Sequence, residues 1–268
     1  MPAALAPPRL ARGTPPPPEV PPPEVPPPEV PPAAGETPER GPAARPASPP
    51  AAGPRDRLTL HGADWGLYVK LSDEPANARY KFTFDGPRGL LEIEMPQGKL
   101  HESVSRLVSL LVAIFSIERE IDIEADGAIS LRHPDLDRGA DCDESFYVSG
   151  YAAMRAWEAA HPDRPSEILD LAGGEPPPDL VVEVDVTSPG INKLPIYAAM
   201  GVPEVWVWAD GSFTVYRRTS ADTYEEVAES VELPGFPLAA AGEAVLNRRG
   251  LSIRQIDGEF RDLLRAAG

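Results

Sequence analysis

Between Pro178 and Pro189 the chain reads Asp-Leu-Val-Val-Glu-Val-Asp-Val-Thr-Ser. The β-branched content and period of two of this run leave it one regular structure, a strand in a hydrophobic sheet. Alternation puts Leu180, Val182, Val184 and Val186 on one face and Asp179, Val181, Glu183 and Asp185 on the other. The first face must be buried. On the second, Glu183 and Asp185 lie about 6.5–7 Å apart and repel unless a divalent cation or an ammonium group stands beside them. Either partner would make the strand part of a site.

Composition divides the chain. Twenty-one of its 35 prolines precede Arg55, no aromatic residue precedes Trp65, and Pro-Pro-Pro-Glu-Val occurs three times, at 16–20, 21–25 and 26–30. Such a segment cannot bury enough apolar surface to offset its ordering entropy, so residues 1–56 are expected to be a disordered leader of polyproline-II character. It serves as a spacer, as a ligand for a proline-recognising partner, or reflects an over-extended start. Residues 57–268 form one expected domain, large enough for a sizeable core. Its net charge of −16, out of −17 for the chain, is a poor footprint for non-specific nucleic-acid binding, though it does not exclude a local basic groove.

The single cysteine, Cys142, forbids an internal disulfide and fits a reducing, cytoplasmic compartment. The four histidines are too scattered for a zinc site. No signal-peptide pattern opens the chain, and the apolar run Leu107–Ile117 is too short for a bilayer, so no membrane association is expected.

Periodicity predicts a hairpin from Tyr80–Phe84 and Leu90–Met95, and a helix from Lys99 to about Glu118. Strands follow at Ile121–Glu124, Ala128–Leu131 and Ser145–Val148, then a weak helix at Ala152–Ala160. Beyond the strand at 179–186, a short helix spans about Asn192–Met200 and stops at Gly201, with Pro195 in its first turn. Glu204–Trp208 reads as a central strand, Phe213–Arg217 and Tyr224–Val227 as strands, and Ile253–Ala267 as a helix. This is an α/β (α+β) domain with a mixed sheet flanked by helices.

Asp143 and Glu183, on strands that could be neighbours, are candidate ligands for a hard divalent ion, which takes one or two carboxylates plus waters and phosphate oxygens. The other reading makes Asp141, Asp143 and Glu144 a solvated loop mouth. Lys193, at the start of the short helix, could swing back to the carboxylate face and act on a water or a phosphate, or be an ordinary surface lysine. Asp185 could pair with Lys193 or bind water. Glu102, in the first turn of the long helix, either supports the site or answers the helix dipole. Asp179 caps the start of the strand, and Ser188-Pro189 shapes the turn after it.

Five segments together carry a resemblance: Gly89-Leu-Leu-Glu-Ile-Glu-Met-Pro96 with His101-Glu102, Leu131–Gly139, Asp141–Tyr147, Pro178–Pro189, and Lys193–Tyr197 followed by Gly201–Trp206. From about Tyr80 to about Arg217, and on toward the C-terminus, the chain resembles the Uma-two family of the PD-(D/E)XK nuclease-like superfamily. The resemblance implies a restriction-endonuclease-like core with a metal site on central strands. It assigns Asp143 and Glu183 to Mg²⁺ (or Mn²⁺) and Lys193 to the superfamily's lysine. Two positions depart from the usual signature. Asp185 stands where the lysine usually follows the acid by two residues, and Cys142 replaces a proline.

The resulting expectation is a magnesium-dependent endonuclease acting on DNA, with Asp143, Glu183 and Lys193 central and Asp185 and Glu102 in support. Cutting both strands would suit a homodimer. The rival expectation is a catalytically inactive binding or regulatory module that keeps the fold.

Overall fold

The computed structural model describes residues 57–96, 98–163, 168–185 and 190–267. The proline-rich leader, Val186 and the turn at 187–189 lie outside the described residues. The chain runs through β1 (Arg57–His61), α1 (Trp65–Ser72), β2 (Lys81–Asp85), β3 (Leu90–Glu94) and the long α2 (Lys99–Arg119). It continues as β4 (Glu124–Ala125), β5 (Ser130–His133), β6 (Arg138–Asp141), β7 (Glu144–Tyr147), α3 (Tyr151–Ala160) and β8 (Ile168–Asp170). Last come β9 (Leu180–Asp185), α4 (Leu194–Ala199), β10 (Glu204–Ala209), β11 (Ser212–Arg218), β12 (Tyr224–Val227), α5 (Leu238–Asn247) and α6 (Ile253–Ala267).

The expected mixed sheet is present as two. One has the order β1-β3-β2-β6-β5-β8, the other β12-β11-β10-β9-β7-β4. Each contains one parallel pair, β5 with β8 and β9 with β10, among antiparallel neighbours. The chain crosses from the first sheet to the second in two residues, Cys142 and Asp143, between β6 and β7. That crossing places an acid at the junction of the sheets.

Strand β9 is covered on both sides, as its composition requires. Leu180, Val182 and Val184 join a core with the α2 side chains Val104, Val108, Leu111 and Phe115, with Trp206 of β10 and with Phe260 of α6. Each such aliphatic or aromatic burial is worth about 1.5–3 kcal/mol relative to exposure, which fixes α2 against the sheet. By length and composition α2 could cross a membrane, because its apolar character runs beyond Leu107–Ile117. Here it is the core helix, with Val104, Leu111, Val112 and Phe115 wholly buried. It ends where Glu120 takes a left-handed conformation and Ile121 donates its N–H to the Ser116 carbonyl at 2.9 Å. That closure uses Ile121, so the strand expected over Ile121–Glu124 shrinks to Glu124–Ala125.

The opposite face of β9, with Val181, packs against Ile196 and Tyr197 of α4 and Val205 of β10. Helix α4 is the crossover between the parallel strands β9 and β10. Pro195 lies in its first turn, and Gly201, at φ +89°, lets Val202 donate to the Tyr197 carbonyl at 3.1 Å.

Candidate active site

Strand β7 runs antiparallel to β9 with Glu144 opposite Val182 and Ser145 opposite Val181. Continuing that register by one residue sets Asp143 opposite Glu183. The Val184 N–H donates to Asp143 Oδ2 at 2.7 Å, so the backbone of β9 holds the carboxylate. His101, on the first turn of α2, brings its Nε2 to the same oxygen at 3.0 Å. Lys81 of β2 donates to Asp143 Oδ1 and to the Cys142 carbonyl, the latter at 3.1 Å. Burial alone would raise the Asp143 carboxyl. The His101 hydrogen bond and the charges of Lys81 and Lys193 overturn this and hold it well below the usual carboxylate range.

Glu183 has its own set of partners. Lys193 Nζ lies 2.9 Å from Glu183 Oε2, and the Tyr197 hydroxyl donates to Oε1. Lys193 also donates to the Asp141 carbonyl at 3.0 Å and stands 3.7 Å from Glu94 Oε1. Burial opposes its charge, but Glu183, Glu94 and Asp143 more than offset that, and the amine is held above the ordinary lysine range. It is an ammonium at any physiological pH. Burial raises the Glu183 carboxyl despite the Lys193 charge, and it pushes the Tyr197 phenol well up, so Tyr197 is a neutral donor.

The side chains Glu94, His101, Asp143, Glu183, Asp185 and Lys193 line one cavity of about 290 Å³. Its rim is set by β3. Glu92 accepts the Ile191 N–H at 3.1 Å and an Arg57 guanidinium N–H at 3.3 Å, anchoring the segment that delivers Lys193. Gly190 has no room for a Cβ, which would collide with Arg57 and Glu92.

The structure thus brings Asp143, Glu183, Asp185 and Lys193 to one cavity. Glu102 does not line it. It is exposed on α2 and lines a neighbouring cavity of about 270 Å³ that shares His101 and Asp143. The solvated-loop reading of Asp141, Asp143 and Glu144 is overturned. Asp143 and Glu144 are buried, and the Asp141 carboxylate accepts the Phe82 N–H at 2.8 Å and the Ser130 hydroxyl at 2.5 Å. Lys193 is no surface lysine either, with its side chain only 11% exposed. Asp179 does more than cap the start of β9. It accepts the N–H groups of Val148 and Gly150, at 2.6 and 2.8 Å, and so ties down the turn from β7 into α3.

Sequence reasoning passed over Lys81, Glu94, His101 and Tyr197. The signal for Glu94 was in view, because Leu-Leu-Glu-Ile-Glu of β3 alternates as β9 does. Lys81 is the register partner of Glu94 across the β2–β3 hairpin.

Among the described residues, no group of three or more His, Cys, Asp or Glu side chains is gathered closely enough to hold a metal ion. The cavity's acids are all hard oxygen donors, and Mg²⁺ is ordinarily bound through one or two carboxylates with waters and phosphate oxygens completing its shell. Asp143 and Glu183 are oxygen donors of the kind such an ion takes, and their oxygens are held here by Lys81, His101, the Val184 amide, Lys193 and Tyr197.

The Uma2 family, described as "Putative restriction endonuclease", matches residues 65–242, about two thirds of the chain. The chain belongs to the Uma2 family. The match begins at α1, ahead of the resemblance that starts at Tyr80, and ends in α5, beyond Arg217 but short of the C-terminus. Among solved structures, this Uma2 chain is similar to "a putative nuclease belonging to DUF820" from Anabaena variabilis ATCC 29413. Identity is 16% over 66% of this chain and 90% of that one, with a TM-score of 0.37. That likeness bears no chemical inference. No curated protein matches the chain.

Proposed function

We propose that residues 57–268 form a cytosolic endonuclease domain that hydrolyses DNA phosphodiester bonds with Mg²⁺ or Mn²⁺ held by Asp143 and Glu183. The observation that carries this reading is that the two acids line one cavity, Asp143 held by the amide next to Glu183, with the Lys193 ammonium 2.9 Å from Glu183. A bound divalent ion polarises a phosphoryl oxygen and acidifies a coordinated water.

The protein's own groups do the rest. Lys193, permanently protonated, offers N–H donors and positive charge to a phosphate oxygen as negative charge develops there. It cannot serve as a base. The Val184 amide and His101 fix the rotamer of Asp143, and Tyr197 fixes that of Glu183, so both carboxylates are positioned before substrate arrives. Asp185 lines the same cavity and would bind water there, and Glu102 would contribute from the neighbouring cavity. A homodimer would present two such centres to the two strands of a duplex.

Replacing Glu183 by alanine is expected to abolish metal-dependent cleavage while the circular dichroism spectrum keeps its native shape. Undiminished cleavage by a folded Glu183→Ala protein rejects the assignment.

One observation favours the inactive binding module. The Asp143 and Glu183 carboxylates already have protein cations, Lys81 and Lys193, as partners. Calorimetric titration with Mg²⁺ or Mn²⁺ separates the readings. Binding that disappears in Asp143→Asn supports the nuclease, and no binding to the native chain supports the module.

A further inference from the structure

A cavity of about 320 Å³ is lined by Lys99, Leu100, Ser103, Arg248 and Arg249. Three cations and a hydroxyl face it, and no carboxylate is among its lining residues, in a chain whose net charge is −17. Among the described residues none of the three cations forms an ion pair with an acid. Arg248 is half-buried, its Nη1 anchored to the Val245 carbonyl at 2.7 Å. Burial and then the adjacent Arg249 both lower its pKa. Like charges held together in this way are relieved by an anion between them.

The place of this cluster in the fold identifies the anion. Lys99 and Ser103 each lie two residues from His101, about 200° around α2, so they occupy the side of the helix away from Asp143. The cluster and the Asp143–Glu183 centre therefore lie on opposite sides of the start of α2. A helix about 10–12 Å across is spanned by roughly three nucleotides at about 3.4 Å of rise along one strand.

We propose that Lys99, Ser103, Arg248 and Arg249 form a backbone clamp that holds a phosphate of the DNA strand a few nucleotides from the bond at the Asp143–Glu183 centre. This rests on the nuclease reading above and adds the surface that lets a strongly acidic protein hold a polyanion. Such a clamp reads charge and not sequence.

The test uses the full chain and a short DNA duplex, with affinity measured by fluorescence anisotropy across a series of KCl concentrations. Lys99 and Arg249 are exposed, so Lys99→Gln/Arg249→Gln should fold normally. Loss of two phosphate contacts is expected to reduce the slope of log K against log[salt] by about two and to weaken binding on the order of tenfold at moderate salt. A native chain that binds DNA alongside a double variant with the same slope and affinity overturns the clamp and leaves the nuclease reading standing. That is also the outcome if the cavity serves an acidic protein instead. A native chain with no affinity for duplex or single-stranded DNA overturns both.

Discussion

Asp143, just before β7, is held by the amide of Val184, the residue next to Glu183 on β9, yet each acid is neutralised by a different lysine, Lys81 from the first sheet and Lys193 from the β9–β10 crossover. With Glu94, which shares Lys193, the centre is a cluster of three acids and two ammonium groups. Such a cluster holds itself together without an ion, and a phosphate that draws Lys193 toward itself would loosen its grip on Glu183.

Lys193→Met should therefore act on stability as well as on chemistry. It leaves Glu183 and Glu94 without their shared ammonium in a largely buried setting, a loss of about 3 kcal/mol or more in urea denaturation. On the proposed nuclease reading, added Mg²⁺ should recover part of that loss, because an ion bound at Glu183 would replace the missing charge. Cleavage should fall by about a hundredfold or more, in keeping with removal of a transition-state donor. A variant as stable as the native chain without Mg²⁺ would show that the ammonium is not structurally required.

Much of this site could be read along the chain. The alternation in β9 set Glu183 and Asp185 apart from the core, and the acidic run before β7 held Asp143. The short helix after β9 began close to Lys193, as its Pro195 and Gly201 indicated. What could not be read was pairing between distant segments. Lys81 and Asp143 are 62 residues apart, and only the order of strands in the first sheet brings β2 beside β6. The hairpin reading gave Lys81 a face but no partner. Strand β8 was invisible because three residues carry too little periodicity, and α5 because its alanine-rich sequence has a weak polar face. His101 was noticed only as the neighbour of Glu102, and the structure reverses their standing. His101 is turned in to Asp143, and Glu102 is turned out.

Cys142 precedes Asp143 in the crossing between the sheets, and none of its surface is exposed. Burial pushes its thiol up to about 12, so the nucleophilic thiolate is scarce as well as shielded. The native protein should resist a maleimide at neutral pH, and the urea-unfolded chain should react at once. Rapid labelling of the native protein would mean that the crossing opens far more readily than its packing allows.

Glu232 makes stability depend on pH. Burial raises its carboxyl, with Asp179 and Glu204 adding like charge and Ser149 opposing through a hydrogen bond. In the unfolded chain this group ionises at the usual carboxylate pKa, while the folded protein resists ionising it. Folding is therefore most favoured, so far as Glu232 is concerned, below the unfolded pKa, and that stability is lost as pH rises through the higher folded value. Glu232→Gln should flatten this part of the profile and stabilise the protein near pH 8 by up to about 1 kcal/mol, the effect being limited by solvent screening. Identical pH profiles for the two proteins would remove Glu232 as the cause.

Asp179 provides a separation of structure from chemistry on a single strand face. It shares its side of β9 with Glu183, but its carboxylate is spent on the Val148 and Gly150 amides and the Ser149 hydroxyl. Asp179→Ala leaves two backbone donors without their acceptor, at a cost of about 2 kcal/mol. A lower melting temperature should follow, with turnover per folded molecule unchanged, because the cavity walls are built from other residues. Glu183→Ala should show the reverse, with cleavage lost and the fold retained. If Asp179→Ala abolished cleavage in a folded protein, the centre would have to extend along β9 past Val181, and the pairing of Asp143 with Glu183 would no longer define it.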